Sequence, residues 1–249
     1  MSSRVLPARA APLPALVPGV CHVWWARPDD VGARHDALLA PEDLARRARL
    51  RRPADRHRLT AAAAVLRLVL GAHAGEPPDR VAIDRTCPGC GEQHGKPRPA
   101  TLPDVHVSVS HSAGAVAVAV GLVGPVGIDV EEVGRFDAAE LESLAAYALA
   151  PEERTELAND PTARAFTTYW TRKEALAKAT GDGIARHLQL IVVSPPSSPP
   201  RLLRWEDRSV TAGLHALHPP PGAVGTLAVL GRGPVQVLEH DAGPLLRGG

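Results

Sequence analysis

One stretch, Phe166 to Gly183 (FTTYWTRKEALAKATGDG), permits little except a helix with a clean stop. Ala, Leu, Glu, Lys and Arg fill its middle, and all are good helix formers. Gly181 stands where a left-handed C-cap is usually needed. Trp170, Glu174 and Lys178 are spaced i, i+4, i+8 and share one face, with Lys173 flanking it. Taken alone, Glu174 and Lys178 read as an ordinary exposed ion pair that stabilises the helix by a few tenths of a kcal/mol.

A second stretch changes that reading. Gly127 to Glu131 (GIDVE) follows a run of alternating small and apolar residues, the pattern of a strand. Residues i and i+2 of a strand share a face, so Asp129 and Glu131 project together while Ile128 and Val130 turn to the core. Two adjacent carboxylates repel unless a positive charge lies between them. A divalent cation answers this economically, and an all-oxygen ligand set suits Mg²⁺ or Mn²⁺ rather than zinc. Glu174, from the helix, supplies a third carboxylate. The alternative is that Asp129 and Glu131 point to water at a strand end.

Two further pieces stand upstream in the chain, Gly95-Lys96-Pro97 and Ser108-Val109-Ser110-His111-Ser112. With GIDVE and Trp170-Thr171-Arg172-Lys173-Glu174-Ala175-Leu176-Ala177-Lys178, they resemble in kind and order the signature of 4′-phosphopantetheinyl transferases. The subtype resembled is the surfactin-synthetase-activating one, a monomer of two similar halves. The likeness runs from about residue 95 to 183, with a weaker basic match near 46 to 58. It implies an α+β fold of two pseudo-duplicated subdomains, each a helix with an antiparallel sheet, and an active site in the cleft between them. It implies coenzyme A as substrate, an apo acyl or peptidyl carrier protein as acceptor, and Mg²⁺ (Mn²⁺ substituting) held by Asp129, Glu131 and Glu174. Glu174, Lys178 and Lys173 become the catalytic candidates. Lys96, Ser110, His111 and arginines among Arg46, Arg49 and Arg58 become the coenzyme A contacts. Two other readings are a phosphohydrolase, for which no DxDx(T/V) segment is present, and a non-catalytic carrier- or nucleotide-binding module.

The arginines, from Arg46 to Arg58, read on their own as a solvated helix face or as an anion site. Aromatics are only 3% of residues, so the core must be built of Ala, Val and Leu. A net charge of +1 gives no reason to expect nucleic acid or a membrane surface. No apolar run approaches the ~20 residues of a membrane span, and the proline-rich start lacks an apolar targeting core, so the cytoplasm is the expected compartment. The expected organisation is a flexible lead-in over 1–19, a nucleotide-binding half over 20–124, a metal-binding and catalytic half over 125–240 and a peripheral tail over 241–249.

Strands are predicted at Val20–Ala26, Arg80–Arg85, Val105–Ser110 and Ala115–Val120, the last two a hairpin turning at His111–Gly114. A helix is predicted over Asp55–Ala72, with Leu59, Ala62, Val65, Leu66 and Val69 as its core stripe. Helices over Asp137–Ala148 and Pro151–Leu157 precede the central helix. Strands at Leu188–Val193, Leu202–Trp205, Ser209–Leu217 and Val224–Leu230 follow it. Cys87-Pro88-Gly89-Cys90, with His94, leaves three readings open: a plain turn, a metal site short of a fourth ligand, or a disulfide.

Overall fold

The computed structural model describes residues 13–181, 188–206 and 209–248. Two units of like topology follow each other. The first holds strand β1 (Val20–Ala26), helices α1 (Pro41–Ala48) and α2 (Pro53–Ala74), a short β2 (Ile83–Asp84) and β3 (Arg98–Pro99), then the hairpin β4 (His106–Ser112) and β5 (Ala115–Gly121). The second holds β6 (Val126–Glu132), helices α3 (Ala138–Ala148), α4 (Pro151–Asn159) and α5 (Ala163–Thr180), the short β7 (Ile191–Val193) and β8 (Leu202–Trp205), then β9 (Ala212–Leu217) and β10 (Ala223–Leu230). Strand β11 (Gln236–Asp241) and helix α6 (Gly243–Gly248) close the described chain. In both units a lone strand leads into helices, and the hairpin that returns inserts its second strand beside the first. The sheet orders β1-β5-β4 and β6-β10-β9 are therefore the same order twice, and all these pairings are antiparallel.

Each unit packs its long helix on its sheet. Pro53 opens α2, and Gly75 closes it at φ 69°, where a side chain would be strained. Ala61 to Leu66 of α2 are buried against Val107, Val116 and Val118. In α5 the Thr162 hydroxyl caps the start by accepting from Ala165 N–H (3.1 Å), and Gly181 at φ 82° ends it. Small side chains let α5 settle deep on β6. A Cβ at Gly127 would meet the Ala175 carbonyl at 2.0 Å and the Ala179 nitrogen at 2.4 Å, so only glycine fits there.

The two sheets meet along β4 and β6 through side chains. Ser108, Ser110 and Ser112 each accept, through Oγ, the backbone N–H of Ile128 (3.0 Å), Val130 (3.3 Å) and Glu132 (3.2 Å). These hydroxyls satisfy donors that would otherwise be orphaned at a buried sheet edge.

Several expectations need correction. Residues 241–248 of the expected tail are not peripheral, and 236–240 do not stay with the half expected over 125–240. β11 pairs in parallel with β1, and Ala242 and Leu246 are buried in the α2 core, because the apolar tail residues cover an open strand edge and helix face. The second unit's sheet thus ends at Leu230, and 236–248 belong with the first. Leu13 and Leu16, within the expected lead-in, pack on that same core; residues 1–12 lie outside the described residues, as do Asp182 and Gly183. His111 is a strand residue, with the turn at Ala113-Gly114 and Ala113 at φ 40°. The predicted strand at 188–193 is a 3₁₀ turn followed by three strand residues. Among the described residues no helix is long and apolar enough to cross a membrane.

Candidate active site

A cleft of about 500 Å³ opens between the units. The first unit lines it with Arg46, Arg85, Ser110 and His111, and the second with Asp129, Glu131, Trp170, Glu174 and Lys178. The i, i+4, i+8 face of α5 is the part of that helix that looks into it, as the spacing predicts.

Asp129 is 3% exposed. Its Oδ1 accepts from Lys178 Nζ (2.6 Å) and from Ser110 Oγ (2.9 Å). Lys178 also reaches Ser110 Oγ (2.9 Å), so the three side chains form a closed triangle. Asp129 Oδ2 and Glu174 Oε1 are buried and, among the described residues, have no hydrogen-bond partner. Such atoms are costly unless something else satisfies them. Glu174 is pushed up to about 7, first by its burial and then by Asp129 and Glu131, with Lys178 pulling the other way. Glu131 stands at the rim, where its Oε2 accepts from Ser112 Oγ (2.6 Å) and Arg135 Nη1 (2.7 Å). The two orphaned buried carboxylate oxygens suit a hard divalent cation, whereas Glu131, held by Ser112 and Arg135, does not close up with them into a three-acid cluster among the described residues.

The opposite wall is cationic. Arg85 is depressed to about 10, mainly by burial and then by the neighbouring Arg46. His111 keeps its ring open to solvent at the cleft, but the protein around it, with Lys178 and Arg58 nearby, lowers its pKa below the ordinary 6.5. Arg46 and Arg85, their charges partly offset by Asp43, give this wall the donors that a phosphate needs. A hollow of about 570 Å³ beside Trp25 and His218 also holds acids and arginines, but among the described residues none of its carboxylate oxygens is buried without a partner. Its Glu239 is already engaged by Trp25 Nε1 (2.8 Å) and His218 Nδ1 (2.7 Å).

Four expected site residues are not part of the cleft lining. Lys96 donates its ammonium protons to the carbonyls of Val126, Lys178 (2.8 Å) and Ala179 (3.1 Å). It caps the C-terminal end of α5, where unpaired carbonyls and the helix dipole favour a cation. Lys173, fully buried, faces away from Lys178's side of the helix. It pairs with Glu153 and donates to Ala148 O (2.7 Å), so its charge is internal to the second unit. Arg49 is exposed at the end of α1. Arg58 ties Asp55 to Ala113 O (3.2 Å) and borders His111 without lining the cleft. Arg85 went unread, since a lone arginine ending a short strand carries no sequence signal. Arg135, and the apolar wall of Leu59, Phe136 and Leu144, were missed for the same reason.

Residues 125–224, which carry β6, α5 and the carboxylates, match the family described as the 4′-phosphopantetheinyl transferase superfamily. The chain is 33% identical over 206 residues to the 4′-phosphopantetheinyl transferase HetI of Nostoc sp., spanning 79% of this chain and 81% of that protein. The chain belongs to the 4′-phosphopantetheinyl transferase superfamily. As a member it is a transferase of the phosphopantetheinyl group. A 4′-phosphopantetheinyl transferase of Bacillus subtilis is 28% identical over 171 residues, covering 66% of this chain and 70% of that one. The psf-1 transferase of Bacillus pumilus is 37% identical over 97 residues, covering 38% of this chain and 40% of its own. The cleft residues Asp129, Glu131, Trp170, Glu174 and Lys178 all fall inside the matched family segment.

Proposed function

We propose that this transferase moves the phosphopantetheine arm of coenzyme A onto a serine of an apo acyl or peptidyl carrier protein and releases 3′,5′-ADP. The carrier's serine oxygen bonds to the β-phosphorus, the bond from that phosphorus to the bridging oxygen breaks, and the ADP leaves with the electron pair. The observation that carries this reading is the pair of buried, unpartnered oxygens on Asp129 and Glu174 facing a wall of arginines. Asp129, Glu174 and, from the rim, Glu131 would hold Mg²⁺ or Mn²⁺, which when bound offsets the charge of the pyrophosphate. Glu174, directly or through a water, takes the serine proton. Lys178, fixed by Asp129 and Ser110, places its charge beside the departing phosphate. His111, Arg46 and Arg85 hold the nucleotide phosphates. Such transfers rely on positioning and charge stabilisation more than on covalent help.

Both walls of the cleft come from one chain, which supports a monomer; in this reading it is of the surfactin-synthetase-activating subtype and acts in the cytoplasm. Peptide-synthetase or polyketide carriers are its substrates in this reading. Mass spectrometry of apo carriers after incubation with the protein, coenzyme A and Mg²⁺ tests it. One phosphopantetheine mass is gained, EDTA stops the gain, and Asp129→Ala and Glu174→Ala each abolish it. No gain on several carriers, or full activity in EDTA, sinks the proposal.

A further inference from the structure

The loop between β2 and β3 begins with Arg85 at the cleft, and beyond it gathers three metal-binding side chains that have no part in the chemistry above. The ligand atoms of Cys87, Cys90 and His94 all lie within 4.8 Å of one another, and Cys90 Sγ stands 2.9 Å from His94 Nε2. Both cysteines are free thiols. The backbone shapes this cluster. Gly91 N–H closes onto Cys87 O (2.8 Å) with Gly91 at φ 77°, and Cys87 N–H bonds Glu92 O (2.8 Å).

We propose that Cys87, Cys90 and His94 bind Zn²⁺, with solvent as the fourth ligand, and that this clip holds Arg85 to the cleft. Two thiolates and an imidazole are a soft set that selects zinc over the hard cations suited to the carboxylates. Loading releases the two thiol protons to solvent, so uptake strengthens as pH rises. The site is exposed, which leaves the fourth position open to water. Its place in the chain gives it a purpose. Arg85 precedes Cys87 by two residues, and Gly95 N–H is bonded to Arg85 O (2.6 Å) directly after His94. A Cβ on Gly95 would press on that same carbonyl at 2.9 Å. Closing the clip therefore fixes both ends of the loop at the residue that faces the phosphates.

Cobalt reports on such a site directly. Reduced, chelator-stripped full-length protein titrated with Co²⁺ gives thiolate-to-cobalt charge transfer and the visible bands of tetrahedral cobalt, saturating at one ion per chain. Zn²⁺ abolishes the signal and Mg²⁺ leaves it. The double variant C87S/C90S loses the charge transfer, whereas His94→Ala keeps it with weaker affinity; circular dichroism verifies that both are folded. No charge transfer in the wild type, or an undiminished signal in the double variant, overturns the site. A second arm rests on the coenzyme A reading above. With Mg²⁺ present throughout, zinc-stripped protein binds coenzyme A several-fold more weakly, and Zn²⁺ restores the wild type but not C87S/C90S. Affinity indifferent to zinc overturns the hold on Arg85 while leaving the cobalt result intact. If no form binds coenzyme A, it is the substrate assignment that fails.

Discussion

Burying Glu174 beside Asp129 disfavours its charged form, and that is measurable without any ligand. Its folded pKa of about 7 lies above the ordinary 4.5, so the folded protein holds this proton more tightly than the unfolded chain. The contribution to stability is complete below 4.5 and lost as pH rises through 7, on the order of 3 kcal/mol in all. Metal-free Glu174→Gln should therefore melt higher than wild type at about pH 8, and the gap should close near pH 4.5 and on adding Mg²⁺ to the wild type. A variant no more stable than wild type at the higher pH contradicts the orphaned-carboxylate account. Arg85 and Lys96 give a second contrast. Arg85→Ala should raise the KM for coenzyme A about ten- to a hundredfold, by the loss of a charge-assisted contact. Lys96→Ala should lower Tm with little change in KM, because its partners are carbonyls of α5 and β6. The reverse pattern restores Lys96 to the site. At this scale the sequence was legible where spacing alone decides direction, as for Glu174 and Lys178 on one helix face. It was not legible for Lys173, one residue from Glu174 yet turned into the core, or for Lys96, whose partners lie some thirty and eighty residues away.

Helices and most strands were readable within a few residues because their signals are local: Asp137 as N-cap, Gly181 as stop, and alternation in β5 and β6. What joins the elements was not. The serines of β4 alternate as any half-buried strand would, and nothing in them announces that they accept the N–H groups of β6. Ser108→Ala leaves the Ile128 N–H buried without its partner and should cost about 1–3 kcal/mol. Since Ser108 lies outside the cleft lining, kcat should hold; an unchanged Tm would show the ladder is dispensable. Gly127→Ala tests the approach of α5 to β6. The added methyl overlaps helix backbone, which cannot yield as a flexible side chain would. A loss of about 1–3 kcal/mol or more is expected. Because α5 carries Glu174 and Lys178, kcat should fall as well; a variant with wild-type stability and turnover would show that the helix has room to move.

The repeated sheet order is a property of the whole molecule that residue patterns do not reveal, since the two units share topology without a visible sequence repeat. The placement of 236–248 was misread for a related reason. A Gly-rich segment looks peripheral until the fold supplies an unpaired edge at β1 and an open apolar face on α2. Removing residues 236–249 should expose that edge, lower Tm by several degrees or more and promote association through β1. A truncated protein as stable and as monodisperse as the full chain would assign the segment to the periphery after all.

The same strand has a bearing on how the protein is made. The ribosome emits β1 early and β11 more than two hundred residues later, so the first sheet stays incomplete until Gln236–Asp241 have emerged. The second unit can finish its own three strands beforehand, and the unit begun first is the one completed last.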